Sequence, residues 1–391
     1  MELIAKPTVG VGFYIFRLIF WAFKLTIVGN NLIKTKKEIV LKKIKGISSN
    51  VFVRPKVIIC WTIVAIGVLT VVLLFTGCGL QNAGWQNLFS DVGLEWSPDG
   101  SKIAFVKTTY YNQGSNWGVI WVMDADGGNM VKLTDDTEKL NSPVWSPDGS
   151  KIVFVGPVNK RDIWVMNTDG SNKINLTNKP GRYGEPAWSP DGSKIVFKLE
   201  TSRPSLDIWV MNSDGSNQTK LGSGDSSALS PDGSKIAFLY GNNIGSYDIS
   251  VMNADGSNQV KLTDKMSTGL FAWSPDGSKL AFGAGAVKSD IWVMNADGSN
   301  QINLTNKSGG GGPVWSPDGS KIAFGFESDI WVMNADGSNQ INLTNKPGNY
   351  FRYAWSPDGS KIAFVSAGAE EKFDIWVMDG DGSNKINLTG N

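Results

Sequence analysis

The chain of 391 residues contains no histidine. Histidine is the commonest general base in enzymes, the usual partner of a nucleophilic serine or cysteine, and the commonest nitrogen ligand of metal ions. Its absence excludes the Ser-His and Cys-His classes of hydrolase and every metal site built on imidazole.

Cysteine is almost as scarce, since Cys60 and Cys78 are the two in the chain and both lie in or beside one apolar segment. A thiolate zinc cluster or a disulfide framework needs more cysteines than these. The globular part of the protein must therefore be stabilised by packing alone. We expect it to hold neither a metal nor a cofactor.

Basic residues are unevenly distributed along the chain. Residues 1–60 hold 11 Lys and Arg against 2 acids, whereas residues 61–391 hold 26 against 34. The acidic part lacks the positive field that binding to a phosphate backbone requires, so nucleic acid is not an expected partner. A basic flank ahead of an apolar run is instead a topology signal at a membrane.

That apolar run covers residues 57–77, which are 21 uncharged residues behind Arg54 and Lys56. About 20 apolar residues suffice for a helix to cross a bilayer. The run ends in Phe-Thr-Gly-Cys-Gly, which resembles a bacterial lipobox with Cys78 as the lipidated residue. Residues 57–78 are therefore either a lipoprotein signal that ends at Cys78 or a transmembrane helix. The motif at Cys78 favours the signal, whereas the length of the apolar run favours the helix. Both interpretations place the rest of the chain outside the cytoplasm.

Residues 1–56 are basic and apolar, and two interpretations of them stay open. The stretch from Thr8 to Val28 is apolar but is interrupted by Arg17 and Lys24, so it could be an extra membrane helix. Alternatively, translation starts near Val51 and the preceding residues are not made. Residues 79–90 are expected to form a linker to a folded domain over residues 91–391.

The folded domain consists of seven repeats. Trp-Ser-Pro-Asp-Gly-Ser-Lys begins at six positions, and a seventh unit begins at Leu229, so the spacings are 49, 43, 41, 44, 42 and 40 residues. Periods of ~40–45 residues with several short strands are typical of propeller blades. The six tryptophans that begin units are Trp96, Trp145, Trp188, Trp273, Trp315 and Trp355.

The sixth unit illustrates the four strands that each repeat predicts. Ser-Pro-Asp-Gly and Asn-Ala-Asp-Gly have the composition of tight turns, so they join strands one to two and three to four. Strand three is apolar at consecutive positions, which indicates that both of its faces are covered. The predicted strands of this unit are Pro313–Ser316, Lys321–Phe324, Asp329–Met333 and Gln340–Thr344.

Tryptophan recurs at two positions of the repeat, one in strand one and one in strand three. Unit four lacks both and has Leu229 and Ser250 in their places. Because the two positions change together, we expect the two tryptophans of a blade to share one pocket. The six tryptophans of strand three are Trp121, Trp164, Trp209, Trp292, Trp331 and Trp376.

The repeated unit, Trp-Ser-Pro-Asp-Gly-Ser-Lys-Ile-Ala-Phe followed by Asp-Ile-Trp-Val-Met-Asn-Ala-Asp-Gly-Ser-Asn and Asn-Leu-Thr, resembles the WD40-like (PD40) repeat of TolB-like propellers. The resemblance covers about residues 86–391. It implies a β-propeller of the cell envelope that binds partners. TolB proteins have an α/β domain ahead of six blades, whereas here a membrane segment precedes seven units, so a place in a Tol–Pal system does not follow.

The two hairpins of each unit are nearly invariant, whereas the loops between strands two and three and between units vary. Alternate loops of an up-and-down blade share a side, so the variable loops share one face of the propeller. They carry aromatic and basic residues of the types enriched at binding hot spots. The predicted partner-binding residues are Tyr110, Tyr111, Trp117, Arg182, Tyr183, Tyr350, Phe351, Arg352 and Tyr353. The alternative is that these side chains merely cover loop backbone.

An aspartate precedes strand three in six units. Ligands of one metal ion must converge, and these residues are spread over six blades. We therefore expect each of them to order its own loop by accepting backbone N–H bonds, rather than to bind a metal. The six residues are Asp162, Asp207, Asp248, Asp290, Asp329 and Asp374.

The sequence thus predicts an all-β protein, a seven-bladed β-propeller of four-stranded antiparallel blades preceded by an N-terminal membrane helix or helices. We expect a monomeric, membrane-anchored, extracytoplasmic module that binds or scaffolds an envelope protein or a glycan, without catalytic residues. The alternative is a carbohydrate-active enzyme, either a lyase or a glycosidase that uses carboxylates alone. Two acids facing each other across the channel at about 5–10 Å would favour that alternative.

Overall fold

The computed structural model describes the propeller over residues 93–107, 118–135, 138, 140–157, 159–202, 205–243, 246–264, 268–285, 289–306, 310–345, 349–367 and 373–390. Within these ranges no helix is long and apolar enough to cross a bilayer. The predictions for the N-terminal segment, including the membrane run and Cys78, lie outside the described residues.

Each repeat folds into one four-stranded antiparallel sheet, and the strands of each sheet follow chain order. These sheets are the blades, numbered one to seven along the chain. The predicted all-β, seven-bladed propeller is therefore confirmed.

The strands of the first four blades are β1 (Leu94–Trp96), β2 (Lys102–Lys107), β3 (Val119–Asp124) and β4 (Val131–Lys132); β5 (Asn141–Trp145), β6 (Lys151–Gly156), β7 (Asp162–Asn167) and β8 (Ile174–Asn175); β9 (Arg182–Trp188), β10 (Lys194–Ser202), β11 (Ser205–Asn212) and β12 (Thr219–Ser223); and β13 (Asp225–Leu229), β14 (Lys235–Asn243), β15 (Ser246–Asn253) and β16 (Val260–Lys261).

The strands of the last three blades are β17 (Thr268–Trp273), β18 (Lys279–Ala284), β19 (Asp290–Asn295) and β20 (Ile302–Asn303); β21 (Gly310–Trp315), β22 (Lys321–Phe326), β23 (Asp329–Asn334) and β24 (Ile341–Asn342); and β25 (Asn349–Trp355), β26 (Lys361–Ala367), β27 (Phe373–Asp379) and β28 (Ile386–Asn387).

The fourth strand of blade six is shorter than the sequence predicts. It pairs with β23 only over Ile341 and Asn342. Beyond them, the backbone N–H of Ile330 donates to the Thr344 hydroxyl at 3.1 Å instead of to a backbone carbonyl. One backbone bond, from the Leu343 N–H to the Ile330 oxygen at 2.8 Å, still follows. Since a side chain takes the place of its reciprocal bond, the regular strand ends there.

The first strand of every blade lies at the ring axis. First strands of neighbouring blades contact one another around the ring, for example β1 with both β5 and β25. Fourth strands form the outer rim, and in six blades their first side chain is more than half exposed: Val131, Ile174, Val260, Ile302, Ile341 and Ile386. The inner strands therefore line the central channel.

The consecutive apolar residues of strand three pack against two different neighbours. In β23, Ile330 and Val332 belong to the core shared with blade seven. Met333 and Trp331 of the same strand belong to the core shared with blade five, together with Trp315 from strand one. Both faces of strand three are thus covered, and the two tryptophans of a blade pack into the same junction with the preceding blade.

The ring closes between blades seven and one by packing, as the other junctions do. Trp96 and Phe105 of blade one share a core with Val365 and Val377 of blade seven. The Trp96 indole N–H donates to the backbone oxygen of Ala354 at 3.2 Å. Units one and seven are therefore neighbours, as a closed propeller requires.

The Ser-Pro-Asp-Gly hairpins owe their uniformity to local hydrogen bonds. In blade one, the Ser97 hydroxyl donates to Asp99 at 2.6 Å and the backbone N–H of Ser101 donates to it at 3.0 Å. These bonds hold the pKa of Asp99 at about 2, because they favour the charged carboxylate. Gly100 completes the turn at a φ of 71°, which only glycine adopts without strain.

Candidate partner-binding face

The two hairpins of each blade lie at one edge of the propeller. In blade six, the backbone N–H of Ala335 in the second hairpin donates to the oxygen of Ser320 in the first, at 2.9 Å. We call this edge the hairpin face. The opposite edge carries the loops between strands two and three and the connections between blades, and we call it the loop face.

A bulge interrupts most inner strands close to the loop face. The residue three positions before the tryptophan, or before Leu229 in blade four, adopts a positive φ in five blades: Ser142, Glu185, Ser226, Gly312 and Arg352. In blades four and seven the pairing with strand two skips this residue. Bulges re-aim side chains and are frequent beside functional sites. This one places Glu185 and Arg352, both exposed, at the loop-face end of the channel.

Arg352, in the predicted aromatic and basic cluster of blade seven, is exposed. The ring of Tyr350 is half-buried and lies edge-on to Phe364, with a centroid distance of 5.7 Å. The hydroxyl of Tyr353 donates to the backbone oxygen of Gly312 at 2.6 Å. Burial raises the pKa of both tyrosines. Phe351 lies in β25 beside them.

Of the two predicted residues in blade three, one is likewise exposed and the other is buried. Arg182 is exposed, and its Nε lies 3.5 Å from a carboxylate oxygen of Glu200. Tyr183 is only 4% exposed and packs against Phe197 in the core between blades two and three. Its hydroxyl donates to the backbone oxygen of Lys179 at 3.3 Å. Tyr183 is therefore a packing residue whose side chain is closed to a partner in this structure.

Three predicted residues, Tyr110, Tyr111 and Trp117, belong to the connection between β2 and β3. They lie outside the described residues. Since β2 and β3 are strands two and three of blade one, this connection starts and ends at the loop face.

Glu95 is a channel residue that the sequence analysis missed. It directly precedes Trp96, at a position occupied by Ala or Val in the other six blades. Its carboxylate accepts the backbone N–H of Trp145 at 3.2 Å. Burial raises the pKa of Glu95 to about 8, although the Trp145 bond and the charge of Arg352 act in the opposite direction. At neutral pH Glu95 is therefore mostly protonated and can donate a proton. The sequence signal that could have identified it is a glutamate where the other six units have Ala or Val.

The repeated aspartates join strands three and four within their own blades. Asp329 accepts the Asn342 amide at 2.8 Å and the Thr344 hydroxyl at 2.6 Å. In blades three and four a lysine replaces the asparagine and pairs with the aspartate at 2.8 Å and 3.0 Å. The role is local, but the donors are side chains of the fourth strand rather than the expected backbone N–H groups. Pairing of strands three and four brings those side chains opposite the carboxylate.

The described residues form no metal site, and their groove lies on the hairpin face. Over the described ranges, no three His, Cys, Asp or Glu side chains come together as a metal site would require. A groove of ≈ 390 Å³ lies on the hairpin face between blades five and six, lined in part by Lys279, Trp315 and Asp318. Its lining consists largely of residues that recur in every repeat, whereas the loop face carries the residues that do not.

Solved structures with the same architecture include both lyases and peptidases. An oligogalacturonate lyase from Vibrio parahaemolyticus is 15% identical, with a TM-score of 0.61 over 74% of this chain and 91% of the lyase. A puromycin-hydrolyzing peptidase from Mycobacterium tuberculosis is also 15% identical, with a TM-score of 0.61 over 77% of this chain and 53% of the peptidase. At such identities the likeness is one of fold alone.

Comparison at the level of sequence gives a more specific result. A search of curated proteins found no match. The family model of the TolB β-propeller domain (PD40) matches twice, over residues 98–242 and 234–391. These matches cover more than half of the chain and all seven blades, so the chain belongs to the TolB β-propeller domain family.

Proposed function

We propose that this protein is a membrane-anchored, extracytoplasmic binding or scaffolding module that engages an envelope protein or glycan through its loop face. The observation that carries the proposal is the difference between the two faces. The hairpin face repeats the same turns in every blade, whereas the loop face gathers the residues that occur once.

The exposed charges of the loop face support this assignment. Arg352 and Arg182 extend from inner strands close to the channel. Arginine is enriched among the residues that dominate binding energies, because its planar guanidinium makes several directed hydrogen bonds. Membership in the TolB propeller family supports a role in binding. Capture of partners by the full chain from detergent-solubilised membranes, followed by mass spectrometry, tests the proposal and identifies the ligand class.

The anchor is proposed to be a lipid on Cys78. We expect Cys78→Ser to abolish both lipid labelling and signal processing, because the cysteine thiol is the acceptor in lipoprotein maturation. Cys60→Ser, the matched control within the same apolar run, should leave both unchanged. Mass spectrometry of the native N-terminus provides an independent measurement. A native chain that begins at Met1 and carries an unmodified Cys78 would contradict the lipid anchor and favour a transmembrane helix.

A second candidate function, cleavage of an oligosaccharide, is favoured by Glu95 alone. A carboxylic acid kept protonated at neutral pH by burial is the usual general acid of carboxylate-based glycosidases. The channel wall that holds Glu95 also carries Glu185 near its loop-face end. If this function is correct, the purified chain should cleave oligogalacturonate, and Glu95→Gln should abolish the cleavage while Glu327→Gln retains it. Absence of turnover in the native chain would exclude this candidate for that substrate.

A further inference from the structure

The junction between blades three and four, here called junction 3/4, is the one junction of the described ring without a tryptophan. Leu229 and Ser250 take the two positions. Its buried core consists of five side chains, Val196, Ile208, Ile236, Phe238 and Met252. The core that closes the ring between blades seven and one has nine, including Trp96. The apolar contact is therefore smaller at junction 3/4 than where the two ends of the propeller meet.

Junction 3/4 also lacks a hydrogen bond that recurs elsewhere. The indole N–H of the strand-one tryptophan donates to a backbone oxygen of the preceding blade at four junctions, at 3.1 Å for Trp273 and at 3.2 Å for Trp96. Leu229 has no donor in its side chain. Blade four is consequently joined to blade three without this directed contact.

An ion pair bridges junction 3/4 instead. Lys198 of blade three lies where the other blades have Val, Leu or Gly. Its ammonium is 2.6 Å from Glu185 of the same blade and 2.7 Å from Asp225 of blade four. The Asp225 contact therefore crosses the junction, whereas the Glu185 contact does not.

The ion pair and the apolar core respond differently to salt. Burial lowers the pKa of Lys198, but the two carboxylates more than offset this effect, so its pKa lies above the usual range and the ammonium stays charged. The side chains of Lys198 and Asp225 are each 22% exposed, so mobile ions reach the pair. Salt weakens such charge contacts and leaves apolar contacts intact or strengthened.

We infer that the propeller ring opens transiently at junction 3/4, rather than between blades seven and one, and that the Lys198–Asp225 contact restrains this opening in a salt-dependent manner. The inference is independent of the partner proposed above. It assigns to the ring a preferred point of opening that is set by packing and charge, not by the position of the chain ends.

Thiol labelling of single cysteines introduced into the full chain tests this inference. Ser250→Cys is a near-isosteric substitution at junction 3/4. Because Ser250 is only 6% exposed, its labelling reports opening of that junction. Ala363→Cys is the matched probe of the closing junction, since Ala363 is fully buried there. Peptide mass spectrometry separates both probes from the native Cys60 and Cys78. Labelling at Ser250→Cys should be faster by about tenfold or more, as expected for a less stable local opening.

The salt dependence and the ion pair are tested with the same probe. Labelling at Ser250→Cys should accelerate several-fold in about 1 M NaCl, where the screening length is only about 3 Å. Adding Asp225→Asn should give the same acceleration at low salt, and the amide oxygen can still accept the Ser226 N–H that Asp225 accepts at 2.9 Å. Glu185→Gln, which removes only the contact within blade three, should have a smaller effect.

Two results would overturn the inference. Equal or faster labelling at Ala363→Cys would show that the ring has no preferred opening at junction 3/4. An unchanged labelling rate at Ser250→Cys, both in high salt and in the Asp225→Asn background, would show that the ion pair does not restrain the opening. Circular dichroism of each variant verifies that labelling reports opening of a folded propeller.

Discussion

Backbone amides of blade four, from Leu229 to Leu262, should exchange hydrogen fastest among the seven blades of the intact chain. Each buried aromatic ring contributes about 150–250 Å² of apolar burial, at about 25 cal/mol per Å². Blade four lacks two such rings, because Leu229 and Ser250 replace them. The local free energy of opening should therefore be lower by several kcal/mol before neighbouring side chains compensate.

Mass-spectrometric exchange of the native protein measures this difference directly. The matched references are the central strands of blades six and seven, which have the same hairpin turns and the same pairing next to them but retain Trp315 and Trp355. Equal protection of blade four and these two blades would contradict the prediction. It would mean that repacking around Phe238 and Leu229 replaces the burial that the tryptophans provide elsewhere.

Removal of two of the predicted partner-binding side chains should weaken partner capture without unfolding the propeller. The variant is Arg352→Ala combined with Tyr111→Ala, from blades seven and one, which are neighbours in the closed ring. Hot-spot side chains contribute about 2 kcal/mol or more each, so loss of both should weaken capture by about 4 kcal/mol or more, which is roughly a thousandfold in Kd. The melting temperature should change by no more than about 2 °C, as for most surface substitutions.

The structure excludes two other predicted residues from that variant. Tyr350 was an attractive target from its sequence, but it packs on Phe364, so its removal would also cost stability. Tyr183 is excluded for the same reason, because it lies in a core. Quantitative binding of the captured partner to each purified variant provides the measurement.

A charge-matched control distinguishes the loop face from the hairpin face. Lys279→Ala removes one exposed cation from the groove on the hairpin face. We expect this variant to capture the partner as the native chain does. Loss of capture in Lys279→Ala, with capture retained in the loop-face variant, would place the binding site on the opposite side of the ring.

The repeat by itself determined the architecture of the folded part. Hairpin chemistry and strand periodicity are local properties, so the seven units, four strands each, could be derived from spacing and turn residues alone. The joint replacement of both tryptophans in blade four, by Leu229 and Ser250, also indicated correctly that the two tryptophans of a blade share one pocket. Strand ends were less predictable, because the Thr344 hydroxyl replaces a ladder bond at the end of β24.

Exposure and charge state were decided only by the tertiary structure. Tyr183, Tyr350 and Arg352 are alike as loop-face residues in the sequence, yet two are packed and one is exposed, because neighbouring strands and blades determine what covers each side chain. The protonation of Glu95 depends on its burial beside blade two. The Lys198–Asp225 contact joins residues of two blades. Such properties arise from the environment that distant segments create, whereas the fold itself arises from a pattern repeated within each unit.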